Sequence, residues 1–144
     1  MWGYAAVAGL QAMRLICSGL FDRYPGLKII LGHMGESIPY WMWRIDNRWR
    51  NVGIGVTPDP VIDKLRKKPS QYFKENFYIT TSGMFWEPAL QFCCQVLGAD
   101  RILFAVDYPP ESNRVATEFI ESVTMINSDK EKICHLNAEK LFKL

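Results

Sequence analysis

No run of this chain approaches the roughly 20 apolar residues that a membrane-crossing helix needs. Nor does its start show a basic stretch leading into an apolar one, so a cytoplasmic protein with no membrane partner is expected. Charge of one sign is equally scarce. The 17 basic and 15 acidic residues are mixed along the chain to a net +2, which argues against a nucleic-acid partner. Lys64, Arg66, Lys67 and Lys68 make a local basic cluster that reads as the solvated face of one helix. Phosphate-loop, Gly-x-Gly-x-x-Gly and His-Glu-x-x-His patterns are all missing. With only two histidines there is no His-x-His pair, and the four cysteines, of which Cys93 and Cys94 are adjacent, suit neither a zinc site nor a disulfide framework. Reduced thiols in a core are expected instead.

What the chain does have is apolar substance. A content of 49% hydrophobic and 13% aromatic residues is ample for one domain over 1–144. Leu10, Met13, Cys17 and Leu20 recur at helical spacing and predict an amphipathic helix over about 5–22, ended by Tyr24-Pro25-Gly26. Residues 28–33 predict a strand without alternation, as expected of one buried on both faces. Helical spacing returns from Ser37 to Trp49, with Pro39 near the start. Residues 51–60 read as a loop, and 61–74 as a helix broken or kinked at Pro69. A strand over 77–83, a helix opened by Pro88 and closed by Gly98, a strand over 102–107 and a helix over 113–126 follow. Ser128 and Glu131 form a capping-box pattern before a last helix whose packing positions are Ile133, Leu136, Leu141 and Phe142.

Strands separated by helical crossovers, with no hairpin signal, predict an α/β fold of about three parallel strands. A closed β/α barrel needs eight strands, so this chain could supply a segment of one; a small open sheet is the structural alternative.

The chemistry is expected at two strand ends. Ile29-Ile30-Leu31-Gly32-His33-Met34-Gly35-Glu36 ends an apolar run in a histidine between glycines, and Ile102-Leu103-Phe104-Ala105-Val106-Asp107-Tyr108-Pro109 ends one in an acid. If both strands share a sheet, Asp107 stands beside His33. An imidazole suits general acid/base work near neutrality, and a carboxylate after such a run requires a pair, hydrogen bonds or a metal. A satisfied core histidine and an Asp bonding loop amides are the plainer readings. Glu36 is either a partner of His33 or an acid at a helix start. Thr80, Thr81 and Ser82 offer hydroxyls as substrate contacts or as turn chemistry, and Tyr108 stands at the same strand end as Asp107. His135 lies within a helix and reads as structural, and the Tyr40-Trp41-Met42-Trp43 aromatics as core or interface.

With these residues in view, the sequence resembles the C-terminal half of the amidohydrolase-2 group, and within it the nonoxidative hydroxybenzoate decarboxylases. The resemblance is carried by LICSGLFDRYP (15–25), IILGHMGESIPYWMWRIDNR (29–48), YFKENFYITTSG (72–83), GADRILFAVDYPPES (98–112) and NAEKLFKL (137–144). It implies part of a metal-dependent (β/α)8 barrel that decarboxylates a small aromatic acid. Asp107 then matches a metal-ligating aspartate that handles the proton at the ring carbon, His33 a catalytic histidine, and Glu36 the acid supporting it. Thr81, Ser82 and Tyr108 are the implied substrate contacts, zinc or manganese the implied cofactor, and a homo-oligomer with an interface at 40–49 the expected assembly. The family's early metal-ligand motif and a mid-barrel ligand histidine have no counterpart here, and Val7, Gln11 and Pro110 depart from its pattern. A truncated or split member with an incomplete metal site and weak or absent activity alone is therefore expected. A hydrolase of amides or lactones and a noncatalytic half-barrel are the alternatives.

Overall fold

The computed structural model describes residues 2–50 and 65–144, which group into two compact units: Met1–Ile29 with Glu36–Phe77, and Ile30–Gly35 with Tyr78–Leu144. The loop expected over 51–60 and the start of the helix expected over 61–74 lie outside the described residues.

The first unit holds helices α1 (Trp2–Cys17), α2 (Leu20–Arg23), α3 (Ile38–Arg50) and α4 (Pro69–Asn76). One helix expected over 5–22 is two, because Gly19 takes a left-handed φ of 73° that interrupts the right-handed path before Leu20. The buried face of α1 is Gly9, Ala12 and Ile16 rather than Leu10, Met13 and Cys17. Close approach explains the choice: a Cβ on Gly9 would stand 3.1 Å from the Glu36 carbonyl oxygen, so the smallest residues face inward. Pro69 does not kink a helix but begins one, where a missing N–H is harmless. Phe21, Tyr72, Phe73 and Phe77 form the buried aromatic core of this unit, with ring centroids 4.9 to 6.3 Å apart in the pairs they make. The Asn76 amide donates to the carbonyls of Pro25 and Leu27 at 3.0 and 2.9 Å, tying down the turn that leads toward Ile29.

The sheet has three parallel strands in the order β1 (Ile29–Leu31), β2 (Phe77–Thr80), β3 (Ile102–Leu103), with Ile79 opposite Ile102 and Thr80 opposite Leu103. The central β2 is buried at all four positions. At the edge, β1 leaves Ile30 44% exposed, so the expected burial of both its faces does not hold. Regular pairing of β3 is shorter than the expected 102–107, yet the chain follows β2 further. Thr81 N–H donates to the Leu103 carbonyl at 3.1 Å and Gly83 N–H to that of Val106 at 3.3 Å. Between them the Thr81 hydroxyl bridges the Ala105 N–H and C=O at 3.0 and 2.8 Å.

Helices α5 (Glu87–Leu97), α6 (Asn113–Ser122), α7 (Asn127–Glu131) and α8 (Asn137–Phe142) complete the second unit. α5 carries Pro88 in its first turn and ends at Gly98, whose φ is 85°. α6 stops short of the expected 126 because the buried Val123 turns extended. No capping box forms at Ser128: α7 begins one residue earlier, and the Asp129 and Lys130 amides take the Ile126 carbonyl, both at 3.1 Å. A π-helical turn over Lys132–Leu136 then shifts the helix by one residue. Ile133 stays buried, but Leu136 and Phe142 turn outward and Asn137 turns in, donating to the Ala99 and Ile102 carbonyls at 2.8 Å each.

Candidate active site

Parallel strands deliver residues that follow them to one end of the sheet, and His33 follows β1 as Asp107 follows the β3 segment. His33 Nε2 lies 3.2 Å from Asp107 Oδ2, each side chain being 41% exposed. So open an ion pair adds only about 0–1 kcal/mol to stability. Against that gain, both residues hold left-handed backbones, φ 50° at His33 and 82° at Asp107, at a cost of about 1–3 kcal/mol each. The exposed pair by itself does not offset that backbone cost.

Three neighbours shape it. Gly83, φ 60°, stands so close that a Cβ there would lie 3.0 Å from His33 Cδ2 and 3.5 Å from both His33 Nε2 and Asp107 Oδ2. The Ser82 hydroxyl accepts the His33 N–H at 3.3 Å and pairs with the Thr80 hydroxyl at 2.7 Å. On α5, the Cys93 thiol donates to the Met34 carbonyl at 3.7 Å, and burial, reinforced by the neighbouring Cys94, pushes its pKa up to about 12, so it stays a thiol.

Of the residues singled out from the sequence, His33, Asp107, Thr81 and Ser82 meet in the second unit. The Thr81 and Ser82 hydroxyls are both engaged with backbone, whereas Tyr108 is 73% exposed. Glu36 belongs to the first unit, where it borders an apolar groove of about 540 Å³ between α1 and α3 that Trp2, Leu10, Met13, Trp41 and Trp49 also line. That groove includes neither His33 nor Asp107. His135 pairs on its own helix with Glu139, Nδ1 to Oε1 at 2.8 Å, as a surface contact. Sequence reasoning passed over Gly83 as part of a strand, although a glycine closing a β-branched run is a signal for close approach. Cys93 gave no signal beyond its apolar setting.

The amidohydrolase family profile matches residues 2–144, nearly the whole chain. The chain belongs to the amidohydrolase family. A γ-resorcylate decarboxylase from Polaromonas sp. is 47% identical over 143 residues, 99% of this amidohydrolase chain and 42% of that relative. The chain thus spans less than half the length of the relatives it matches. The crystal structure of a 5-carboxyvanillate decarboxylase from Sphingomonas paucimobilis superposes with a TM-score of 0.90 at 42% identity, covering 99% of this chain and 41% of that one. A dihydroxybenzoic acid decarboxylase from Polaromonas sp. JS666, solved with manganese and the inhibitor 2-nitroresorcinol, gives a TM-score of 0.84 at 48% identity over 94% of this chain and 40% of that one. The three strands and their helices are accordingly part of the amidohydrolase barrel.

The donors present suit a divalent cation in kind, since a carboxylate oxygen and an imidazole nitrogen both bind manganese or zinc. In number they fall short: among the described residues no group of three His, Cys, Asp or Glu side chains is placed to hold a metal ion. Asp107 and His33 are two side chains of that kind, one fewer than the three protein ligands a catalytic metal usually takes.

Proposed function

We propose that this chain carries the catalytic corner of a nonoxidative decarboxylase acting on a small hydroxybenzoate-type aromatic acid, with 2,6-dihydroxybenzoate as the test substrate. The observation that carries the proposal is the His33–Asp107 pair, 3.2 Å apart beyond the ends of parallel strands. Relatives named as decarboxylases support it.

In this reading the pair holds one proton between His33 Nε2 and Asp107 Oδ2 and delivers it to the ring carbon that bears the carboxylate. The carbon–carbon bond then breaks, its electrons restore the aromatic ring, and carbon dioxide leaves. A divalent cation, zinc or manganese, held by Asp107, would supply charge stabilisation and orientation for the carboxylate and ortho hydroxyl. Glu36 supports the histidine, Tyr108 contacts the substrate, and Thr81 and Ser82 contribute to binding by building the corner beneath it. Because Asp107 alone would hold a cation less tightly than the usual three ligands, turnover by this chain alone is weak or absent. Residues 1–144 act as one partial barrel domain in a cytoplasmic homo-oligomer, its interface at the 40–49 segment, where Tyr40 and Trp43 are 73% and 77% exposed.

Incubation with 2,6-dihydroxybenzoate and manganese, reading carbon dioxide and resorcinol by chromatography, tests the reaction. Stoichiometric release of both supports it; hydrolysis of an amide or lactone with no carbon dioxide from the acid would replace it with a hydrolase.

A further inference from the structure

Among the described residues, the chain between β1 and α3 holds the longest run of positive φ angles. His33, Met34, Gly35, Glu36 and Ser37 have φ of 50°, 53°, 76°, 50° and 66°, a succession of left-handed residues of which one is glycine. L-residues adopt this conformation only at a steric cost, so the turn persists only where neighbours hold it. Within the second unit the holds are few and specific. Gly35 N–H closes the turn onto the Gly32 carbonyl at 2.8 Å. Cys93 takes the Met34 carbonyl. Ser82 takes the His33 amide, the first left-handed N–H, and its oxygen is itself fixed by Thr80, both side chains being buried.

We infer that Ser82 is a positioning residue: its hydroxyl, steadied by Thr80, accepts the His33 amide and thereby fixes the left-handed turn that aims the imidazole at Asp107. The stoichiometry of hydrogen bonds agrees. A serine oxygen has the two lone pairs to accept the His33 N–H while one hydroxyl of the Thr80–Ser82 pair donates to the other. Ser82 thus acts through the backbone of His33, and it does so alongside Gly83, whose lack of a side chain leaves the imidazole its room. The kinetic part of this role rests on the decarboxylase reading; the structural part does not.

The test measures hydrogen exchange of the His33 amide by NMR, together with kcat and KM for 2,6-dihydroxybenzoate, in the wild type, Ser82→Ala and Thr80→Val. Loss of the acceptor in Ser82→Ala is expected to speed His33 exchange about tenfold and to lower kcat about tenfold, with KM within about twofold. Thr80→Val, which reaches no substrate and keeps its shape, moves both quantities the same way by a smaller factor. A rise in KM with kcat unchanged would make Ser82 a substrate contact and overturn the inference. So would unaltered His33 exchange in both variants. If the wild type releases no carbon dioxide, the decarboxylase reading alone fails, and the exchange rates still decide whether the hydroxyl holds the turn.

Discussion

Gly83 occupies the space against which the His33 ring rests, its absent side chain lying 3.0 Å from where Cδ2 sits. Alanine there meets two penalties, a φ of 60° unsuited to a Cβ and a clash with the imidazole. Gly83→Ala is expected to lose about 1–3 kcal/mol of stability. It should also lower kcat more than KM is raised, because the ring must swing from Asp107. A urea titration read beside steady-state kinetics checks both.

Asp107→Asn keeps a residue tolerant of the left-handed backbone, so the fold survives the change. Since the exposed pair adds only about 0–1 kcal/mol, the urea midpoint should barely move. Decarboxylation should fall by roughly 10²–10⁴-fold if the carboxylate handles the proton. His33→Asn follows the same logic. Wild-type rates in either variant would remove the pair from the reaction.

Thr81 is wholly buried and bridges the gap where β3 loses regular pairing. Thr81→Val has nearly the same shape but orphans the Ala105 N–H and C=O, at about 1–3 kcal/mol for each. A lower denaturation midpoint with an unchanged m-value is the expected result.

The cysteines divide by burial. Cys134 is exposed, whereas Cys93 is buried and held near 12 and Cys94 near 11. Iodoacetamide should label Cys134 first and Cys93 only on unfolding, as mass spectrometry of timed digests would show. Both Cys93 and the half-buried Cys94 are harder to ionise folded than unfolded, so above about pH 8.5 the unfolded chain releases protons the native one keeps. Their contribution is complete below about pH 8.5 and is lost as pH climbs toward 11 and 12. Cys93→Ala should flatten the fall in urea midpoint between pH 8.5 and 10.5.

How much of this was legible in the sequence follows from which forces each feature depends on. Parallel strands and crossover helices follow from apolar runs and their punctuation, and Pro88 and Gly98 marked the ends of α5 because their backbones allow little else. The strand-end positions of His33 and Asp107 could be read for the same reason. Contacts between elements could not. Gly9 faces inward on α1 where the Glu36 carbonyl leaves no room for a side chain, which no helical period records. Thr81 and Ser82 read as hydroxyls for a substrate, yet their partners are carbonyls and amides more than twenty residues away. The left-handed run after Gly32 was hidden as well, since only one of its members is a glycine.

The added residue in the Lys132–Leu136 turn decides which of two adjacent side chains, Leu136 or Asn137, meets the sheet. Wound as a regular α-helix instead, the same residues would turn the C-terminal helix by about a quarter revolution. A leucine would then point at the Ala99 and Ile102 carbonyls in place of the amide, leaving two main-chain acceptors dry at the root of the strand that carries Asp107. The carbonyls at the start of β3 are therefore satisfied through a helical irregularity some thirty residues downstream.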